Sequence, residues 1–319
     1  MSRLRGMGLV LALALSSCAT NVPSEPPLES PLESPPAPEV AVPVTRLVRV
    51  AAIQAPSTFG APDWNRDHLE KLVRRAAEQG AKVVVLPECA ITGYLSQDLL
   101  HNWHVPGKPL EPRFEGHHPE DHAETVPGPS TERFAALARE LGIYVTVPFL
   151  EVDKTAPDPR YFNTVCLAAP NGKIVAHYRK LTPWPYPEKS WASDGDRGVQ
   201  TFDTEFGRVG LAICFDIHTI LDLYREHDLW ALLYPIAWVS DQPPVHWFNK
   251  TLPDRVRDVG HHVIGANWSV ERPNSWFGYG YSTIIRADGT VVAQAKTRTD
   301  DEIVFADLPY EDTRGRRDD

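Results

Sequence analysis

Short apolar segments alternate with stretches of helical periodicity along this chain, and the alternation restricts the folds available to it. Residues 83–86, which follow Lys82, are all apolar, and a continuous apolar run is typical of a strand buried on both faces of a sheet. Apolar residues within 69–76 recur at intervals of three, four and seven, which predicts an amphipathic helix ending at Gly80. The same spacing within 134–141 predicts a second helix, which ends at Gly142.

Two hairpins are predicted where turns containing glycine separate strand-like segments. Pro170-Asn171-Gly172 lies between segments 164–169 and 173–178, and Asp288-Gly289 marks a second turn. Asparagine, aspartate and glycine accept the positive φ that such hairpin turns need. Further strands are predicted at residues 49–54, 143–149, 209–213, 229–234, 263–266 and 302–306. Early alternation followed by hairpins predicts an α/β fold with mixed sheets covered by helices.

Three of the predicted strands end in a reactive side chain. Glu88 follows the buried strand at 82–86. Lys180 ends the strand-like segment 175–180, and Cys214 follows the apolar segment 210–213. A carboxylate, an ammonium and a thiol can serve as base, oxyanion stabiliser and nucleophile for acyl transfer from an amide. We expect Cys214 to precede a helix beginning near Ile217 or His218, where backbone N–H groups would lower its pKa. Taken singly, each could instead be a paired acid, a solvated lysine or a buried cysteine.

The order and contexts of these segments resemble the nitrilase (carbon–nitrogen hydrolase) superfamily, from Leu47 to about Tyr310. The resemblance implies a four-layer α-β-β-α sandwich with two sheets packed face to face. It also implies a catalytic triad of Glu88, Lys180 and Cys214. Amide hydrolysis by these groups has no step that needs a metal or an organic cofactor.

Two more functional groups are implied by the resemblance. A second glutamate follows the lysine in amidases of this superfamily, within a stretch containing Pro-Trp, and Glu188 matches it here. It would hold the substrate and Lys180 in register, although an exposed loop acid is the alternative. The backbone N–H of Phe215 would join Lys180 in stabilising the oxyanion.

Aromatic residues are frequent in the segments expected to surround the site. They are Tyr94, Trp184, Tyr186, Trp191, Trp238, Trp247 and Trp276. We expect about half of them to contact ligand and name Tyr94, Trp184 and Trp238 as the substrate-binding candidates. A histidine cluster falls within 101–122, and we interpret it as part of a surface lid rather than a metal site.

Short motifs indicate the branch of the superfamily. Cys214-Phe215-Asp216-Ile217 and the segments 91–94 and 232–238 resemble the vanin and biotinidase group, without implying pantetheine or biotinyl-lysine specificity. The predicted function is thiol-dependent hydrolysis of a small linear amide through a thioester. Nitrile hydrolysis or N-acyl transfer on the same triad, and a non-catalytic binding lipoprotein, are the alternatives.

The amino-terminal residues resemble a bacterial lipoprotein signal. Arg3 and Arg5 precede an apolar segment at 7–15 that is too short to span a bilayer, and Leu15-Ser16-Ser17-Cys18 resembles a lipobox. We predict a signal peptide at 1–18 with lipidation of Cys18, a proline-rich tether at 19–45, a hydrolase domain at 46–310 and a disordered tail at 311–319. Ala19 favours an outer-membrane anchor facing the periplasm; an ordinary secretory signal is the alternative.

Charge and cysteine content limit the partners. The formal net charge is -10, from 42 acidic against 32 basic side chains, which argues against a nucleic-acid partner. The charge says little about the substrate, and the expected small-molecule amide rests on the triad and the resemblance. The membrane would be contacted only through the lipid. The resemblance implies a homodimer. Cys89 and Cys166 could pair, but two small buried hydrophobic residues are favoured.

Overall fold

The residues that the structure describes form two six-stranded sheets, and helices cover the outer faces of these sheets. The computed structural model describes residues 45–58, 60–93, 119–185, 188–238, 246–269 and 280–311, all within the compact unit Pro43–Asp319. The strands are β1 (Thr45–Gln54), β2 (Val83–Val85), β3 (Tyr144–Asp153), β4 (Arg160–Ala168), β5 (Ile174–Arg179), β6 (Thr201–Thr204), β7 (Gly207–Leu211), β8 (Ala231–Pro235), β9 (His262–Ala266), β10 (Thr283–Ile285), β11 (Val291–Gln294) and β12 (Glu302–Glu311). The helices are α1 (Pro62–Glu78), α2 (Pro119–His122), α3 (Pro129–Leu141), α4 (Ile220–Tyr224) and α5 (Leu252–Val259).

Strand directions bring three chain segments to one edge of the molecule. The first sheet has the order β12-β1-β2-β3-β4-β5; β1, β2 and β3 are parallel, and β3-β4-β5 are antiparallel neighbours. Because β5 therefore runs in the same direction as β2, both end at the same edge. The second sheet has the order β11-β10-β9-β8-β7-β6, with β7, β8 and β9 parallel. The N–H of Glu88, after β2, donates to the carbonyl of Ile236, after β8, at 3.3 Å. This hydrogen bond joins the carboxyl ends of β2 and β8, one strand from each sheet.

Two hydrophobic cores separate the layers. One lies between the sheets and continues onto α4 and α5, with side chains such as Val85, Leu167, Leu233, Ile220 and Val256. The other lies between the first sheet and helices α1 and α3, with Leu72, Val84, Phe134 and Val147 among its members. Burial of each such side chain contributes about 1.5–3 kcal/mol. The predicted α-β-β-α layering is confirmed.

Local sequence signals account for most of these elements. Helix α1 buries Leu69, Leu72, Val73 and Ala76 on one face, as the periodicity predicts. Helix α3 ends where Gly142 takes a left-handed φ of 63°, a conformation that costs glycine little. The hairpins at Gly172 and Gly289 are present, with φ of 76° and 80°.

Two local predictions were wrong in detail. Strand β6 was missed because it is short and three of its four residues are polar. The helix expected from near Ile217 or His218 is α4, which begins later, at Ile220, and a short 3₁₀ turn, Cys214–His218, starts at the cysteine itself. The backbone bends at Cys214, which has a φ of 41°, so the thiol begins this turn.

Some predictions concern residues outside those that the structure describes. These are the signal peptide with Cys18, the tether up to residue 44, Tyr94, Tyr186, Trp276, His101, His104, His117, His118 and residues 312–319 of the tail. Among the described residues, no helix has the length and apolar character needed to cross a membrane.

Candidate active site

The predicted carboxylates and lysine meet in a buried ion cluster. Lys180 Nζ lies 2.7 Å from Glu88 Oε1 and 2.7 Å from Glu188 Oε2. All three side chains are at most 1% exposed. Glu188 begins a 3₁₀ turn, Glu188–Ser190, and its Oε2 also accepts the N–H of Trp184 at 2.7 Å. Glu188 is therefore a buried partner of Lys180, and the alternative of an exposed loop acid is wrong.

The cluster carries two negative charges around one positive charge. Burial opposes the ammonium form of Lys180, but the charges of Glu188 and Glu88 outweigh it and raise its pKa well above the usual range. A lysine ammonium has three N–H donors, and the two glutamates use two of them. The third can therefore serve a substrate oxygen.

Glu88 has the properties of an acid–base group. Burial raises its pKa, and the charge of Glu188 adds to the effect, while Lys180 and Asn163 oppose it. Its Oε1 accepts both of its hydrogen bonds, from Lys180 and from Asn163. Its Oε2 is buried and has no hydrogen-bond partner within the part of the chain that the structure describes. One carboxylate oxygen can thus exchange a proton while the other stays bound.

Cys214 is half-buried in a strained turn beside this cluster. A φ of 41° is unusual for a residue with a side chain, and such strain is common at functional sites. Its carbonyl accepts the hydroxyl of Tyr234 at 2.8 Å, and the backbone N–H of Ala237 hydrogen-bonds to its sulfur.

The expectation of a lowered pKa for Cys214 was wrong. Burial and the charge of Glu88 raise the pKa of its thiol well above the usual range, against the effects of Lys180 and the Ala237 N–H. The five-residue 3₁₀ turn supplies too few aligned N–H groups to reverse this. A neutral thiol needs a base to remove its proton, and Glu88 is the base whose charge acts on it.

Asp216 connects the lysine segment to the cysteine turn. Its Oδ1 accepts the N–H of Thr182 at 2.8 Å, and its Oδ2 accepts the hydroxyl of Tyr178 at 2.6 Å and the N–H of Ile213 at 3.3 Å. Burial raises its pKa to about 7. The sequence marked Asp216 only as part of a branch motif, so its bridging position was missed.

Asn163 is a second residue that the sequence did not indicate. Its side-chain nitrogen donates to Glu88 Oε1 and to Glu188 Oε1, each at 2.7 Å. A single asparagine in a strand matches no motif. The only available signal was a polar residue on the same face of β4 as the apolar Val165 and Leu167. Cys89, whose thiol donates to Asn163 Oδ1 at 3.3 Å, and Cys166 are free and buried, as favoured from the sequence.

A row of aromatic rings extends from the cysteine turn. Phe215 lies 5.0 Å from His218, His218 lies 4.9 Å from Trp247, and Trp247 lies 5.8 Å from Trp238. Trp247 begins a π-helical segment, Trp247–Thr251, a feature often found at functional sites. Trp184 is 37% exposed. Ligand contact by Trp184 and Trp238, and the oxyanion role of the Phe215 N–H, stay predictions.

Comparison with known proteins identifies the family of the chain. The carbon-nitrogen hydrolase family model matches residues 49–318. Human omega-amidase NIT2 is 31% identical over 251 residues, covering 74% of this chain and 79% of the relative; the Xenopus tropicalis protein of that name is 29% identical over 253 residues, covering 76% and 81%.

Solved structures show the same fold. Saccharomyces cerevisiae Nit3, of branch 10 of the nitrilase superfamily, superposes with a TM-score of 0.67 at 24% identity, covering 85% of this chain and 93% of that one. An amidase from Nesterenkonia sp. gives 0.64 at 20%, also covering 85% and 93%. Together with the matched family, these likenesses assign the chain to the carbon-nitrogen hydrolase family of the nitrilase superfamily, as an amidase with a catalytic cysteine that acts on amide bonds other than peptide bonds.

Proposed function

We propose that Cys214, Glu88, Lys180 and Glu188 hydrolyse a small linear carboxamide through a thioester on Cys214. The observation that carries this proposal is the buried Lys180 held at 2.7 Å by two glutamates, with the charge of Glu88 acting on the Cys214 thiol. A structural ion pair would have no use for a third charged group and an adjacent strained cysteine.

In the first half-reaction the thioester forms. Glu88 Oε2 takes the thiol proton as the sulfur of Cys214 attacks the carbonyl carbon. The oxygen becomes an oxyanion, which the third N–H of Lys180 and the backbone N–H of Phe215 stabilise; each such donor contributes on the order of 3 kcal/mol. Protonated Glu88 then gives its proton to the nitrogen as the carbon–nitrogen bond breaks, so that ammonia or an amine leaves rather than an amide anion.

In the second half-reaction water releases the acid. Glu88, again ionised, removes a proton from water as its oxygen attacks the thioester carbonyl. The carbon–sulfur bond breaks, the Cys214 sulfur recovers the proton from Glu88, and a carboxylic acid departs. The two oxygens of Glu188 accept from Lys180, Trp184 and Asn163, so Glu188 holds Lys180 in register rather than moving the proton.

The substrate is proposed to be a terminal amide on a short chain. Relatives about 30% identical are omega-amidases by name, which supports a primary amide at the end of an acyl group. The acyl group would lie along the aromatic row, against Trp238, and Trp184 would cover the site from the segment that leads to Glu188. The motifs shared with vanins and biotinidases favour secondary amides instead, so leaving-group size is the point to test.

Release of ammonia or amine from a panel of amides tests the proposal. The panel contains short primary amides with a distal carboxylate, their N-alkyl derivatives and the matching nitriles. We expect primary amides to turn over fastest and hydroxylamine to trap the acyl group as a hydroxamate. Cys214→Ala should be inactive. The control is Cys166→Ala, which should be active because Cys166 is buried on the side of the sheet that packs against helices α1 and α3. Faster turnover of nitriles than of every amide would contradict the proposal.

We also propose that the chain is exported and anchored to the outer membrane through a lipid on Cys18, and that it forms a homodimer. The lipobox-like residues and the proline-rich stretch support the first of these, and the family resemblance supports the second. Fractionation with mass spectrometry of the mature amino terminus tests the anchor, and light scattering of the purified protein tests the dimer.

A further inference from the structure

Asn163 hydrogen-bonds to three residues of the candidate site, which are Lys180, Glu88 and Glu188. It lies on β4, opposite Leu150 of β3, and its carbonyl accepts the backbone N–H of Lys180 at 2.8 Å. Its side-chain nitrogen donates to both Glu88 and Glu188. One buried residue, 1% exposed, therefore bonds to the lysine backbone and to both carboxylates.

These contacts complete a closed ring of hydrogen bonds. Lys180 bridges the two glutamates on one side of the ring, and Asn163 bridges them on the other, with all four distances at 2.7 Å. The Cys89 thiol donates to the amide oxygen, which fixes the direction of the amide. The opposite orientation would place that oxygen against two carboxylate oxygens and lose every bond.

The ring determines which oxygen of Glu88 is available. Both donors bind Oε1, so the carboxylate cannot rotate without losing both bonds, and Oε2 stays without a partner among the described residues. If Lys180 were the only donor, the Glu88 carboxylate could turn about its one hydrogen bond, because an ammonium is a point donor with freely turning hydrogens. The planar amide of Asn163 removes that freedom.

We propose that Asn163 is a positioning residue, which holds Glu88 by Oε1 so that Oε2 is the oxygen that exchanges the proton of Cys214. This inference rests on the proposed role of Glu88 as the base. Asn163 does not touch the substrate in this scheme, and it acts through the orientation and ionisation of Glu88.

The pKa of Glu88 can be measured, and it would not change on replacement of Asn163 if Asn163 had a purely structural role. The ionisable groups that act on Glu88 or are affected by it are Lys180, Glu188, Cys89, Cys214 and Tyr234. The Asn163 amide stabilises the ionised form of Glu88 and lowers its pKa against the effect of burial. Loss of the amide should therefore raise the pKa of Glu88, and the acidic limb of kcat/KM should move to higher pH.

The pH dependence of kcat/KM for a primary amide, and of inactivation by iodoacetamide, tests the inference in the purified full chain. Asn163→Leu keeps the size of the side chain and removes the donors; we expect the acidic limb of both profiles to rise by about one pH unit, since a hydrogen bond to a charged group has about that effect. Asn163→Asp places a third carboxylate in the ring and should move the limb further. The control is Asn65→Leu, at another buried asparagine, whose side chain bonds to Thr58 and Ile91.

The control should lose thermal stability and keep the wild-type pH profile. An unmoved limb in Asn163→Leu, or an equal movement in Asn65→Leu, would overturn the positioning role. If Asn163→Leu does not fold, Asn163→Ser, with one donor, should show a smaller movement in the same direction, and an unmoved limb there overturns the inference as well. If the acidic limb of the wild type survives in Glu88→Gln, the proposed base is wrong, and that result is distinct from an unmoved limb.

Discussion

Replacement of Tyr178 by phenylalanine tests Asp216, the carboxylate that joins the lysine segment to the cysteine turn. The change removes the hydroxyl that lies 2.6 Å from Asp216 Oδ2 and leaves the buried ring in place. The hydroxyl also accepts the backbone N–H of Leu181 at 3.3 Å, and the loss of that bond lowers stability equally at every pH. Asp216 keeps the N–H donors of Thr182 and Ile213. Burial already raises the pKa of Asp216 to about 7, and loss of a donor to the ionised form raises it further.

The sign of the effect on stability follows from linkage. Because the folded pKa of Asp216 is raised, its contribution to stability is fully present below the unfolded pKa, near 4, and is lost as the pH rises through about 7. In Tyr178→Phe the loss continues to higher pH. A hydrogen bond to a charged group is worth about 1.5–3 kcal/mol, so the free-energy difference between wild type and variant should grow by about 2 kcal/mol between pH 5 and pH 9.

Thermal unfolding at the two pH values measures this growth. For a domain of this size about 2 kcal/mol corresponds to about 4–8 °C in Tm, so the Tm deficit of Tyr178→Phe should be larger by that amount at pH 9. The control is Tyr144→Phe, which removes a hydroxyl bonded at 2.8 Å to the exposed carboxylate of Glu205. Its deficit should be small and equal at both pH values. A deficit of Tyr178→Phe that is the same at pH 5 and pH 9 would refute the reasoning.

The remaining predictions concern the reaction and the anchor. Iodoacetamide should label Cys214 before Cys89 and Cys166, because those two thiols are fully buried whereas Cys214 is only half-buried; peptide mass spectrometry after substoichiometric labelling checks this, and preferential labelling of Cys89 would contradict it. Glu88→Gln should slow acylation by about 10²–10⁴-fold, the usual effect of losing a general acid–base group, in single-turnover kinetics; an acylation rate equal to that of wild type would exclude Glu88 as the base. Cys18→Ala should release the protein from the membrane fraction or block its processing, and a mature amino terminus that begins well past residue 18 without a lipid would contradict the anchor.

Local patterns in the sequence determined the elements and the identity of the reactive groups. Helices α1 and α3 are visible because a helix buries residues at a fixed period and ends where glycine accepts positive φ. The buried ends of strands predict Glu88, Lys180 and Cys214 because a polar group there needs either a partner or a function. With the family resemblance, the order of those segments was enough for the four-layer sandwich.

Tertiary structure alone decided how those groups are tuned. The direction of the Cys214 pKa depends on burial against the charge of Glu88, which no local spacing encodes. Asn163, 75 residues from Glu88 in the chain, reaches it only because β4 and β2 belong to one sheet and their ends meet at one edge. Glu188 was identifiable as a motif, but its complete burial between Lys180, Asn163 and Trp184 N–H is a consequence of packing. Hydrogen bonds and burial depend on distances between segments far apart in the sequence, and only the folded chain sets those distances.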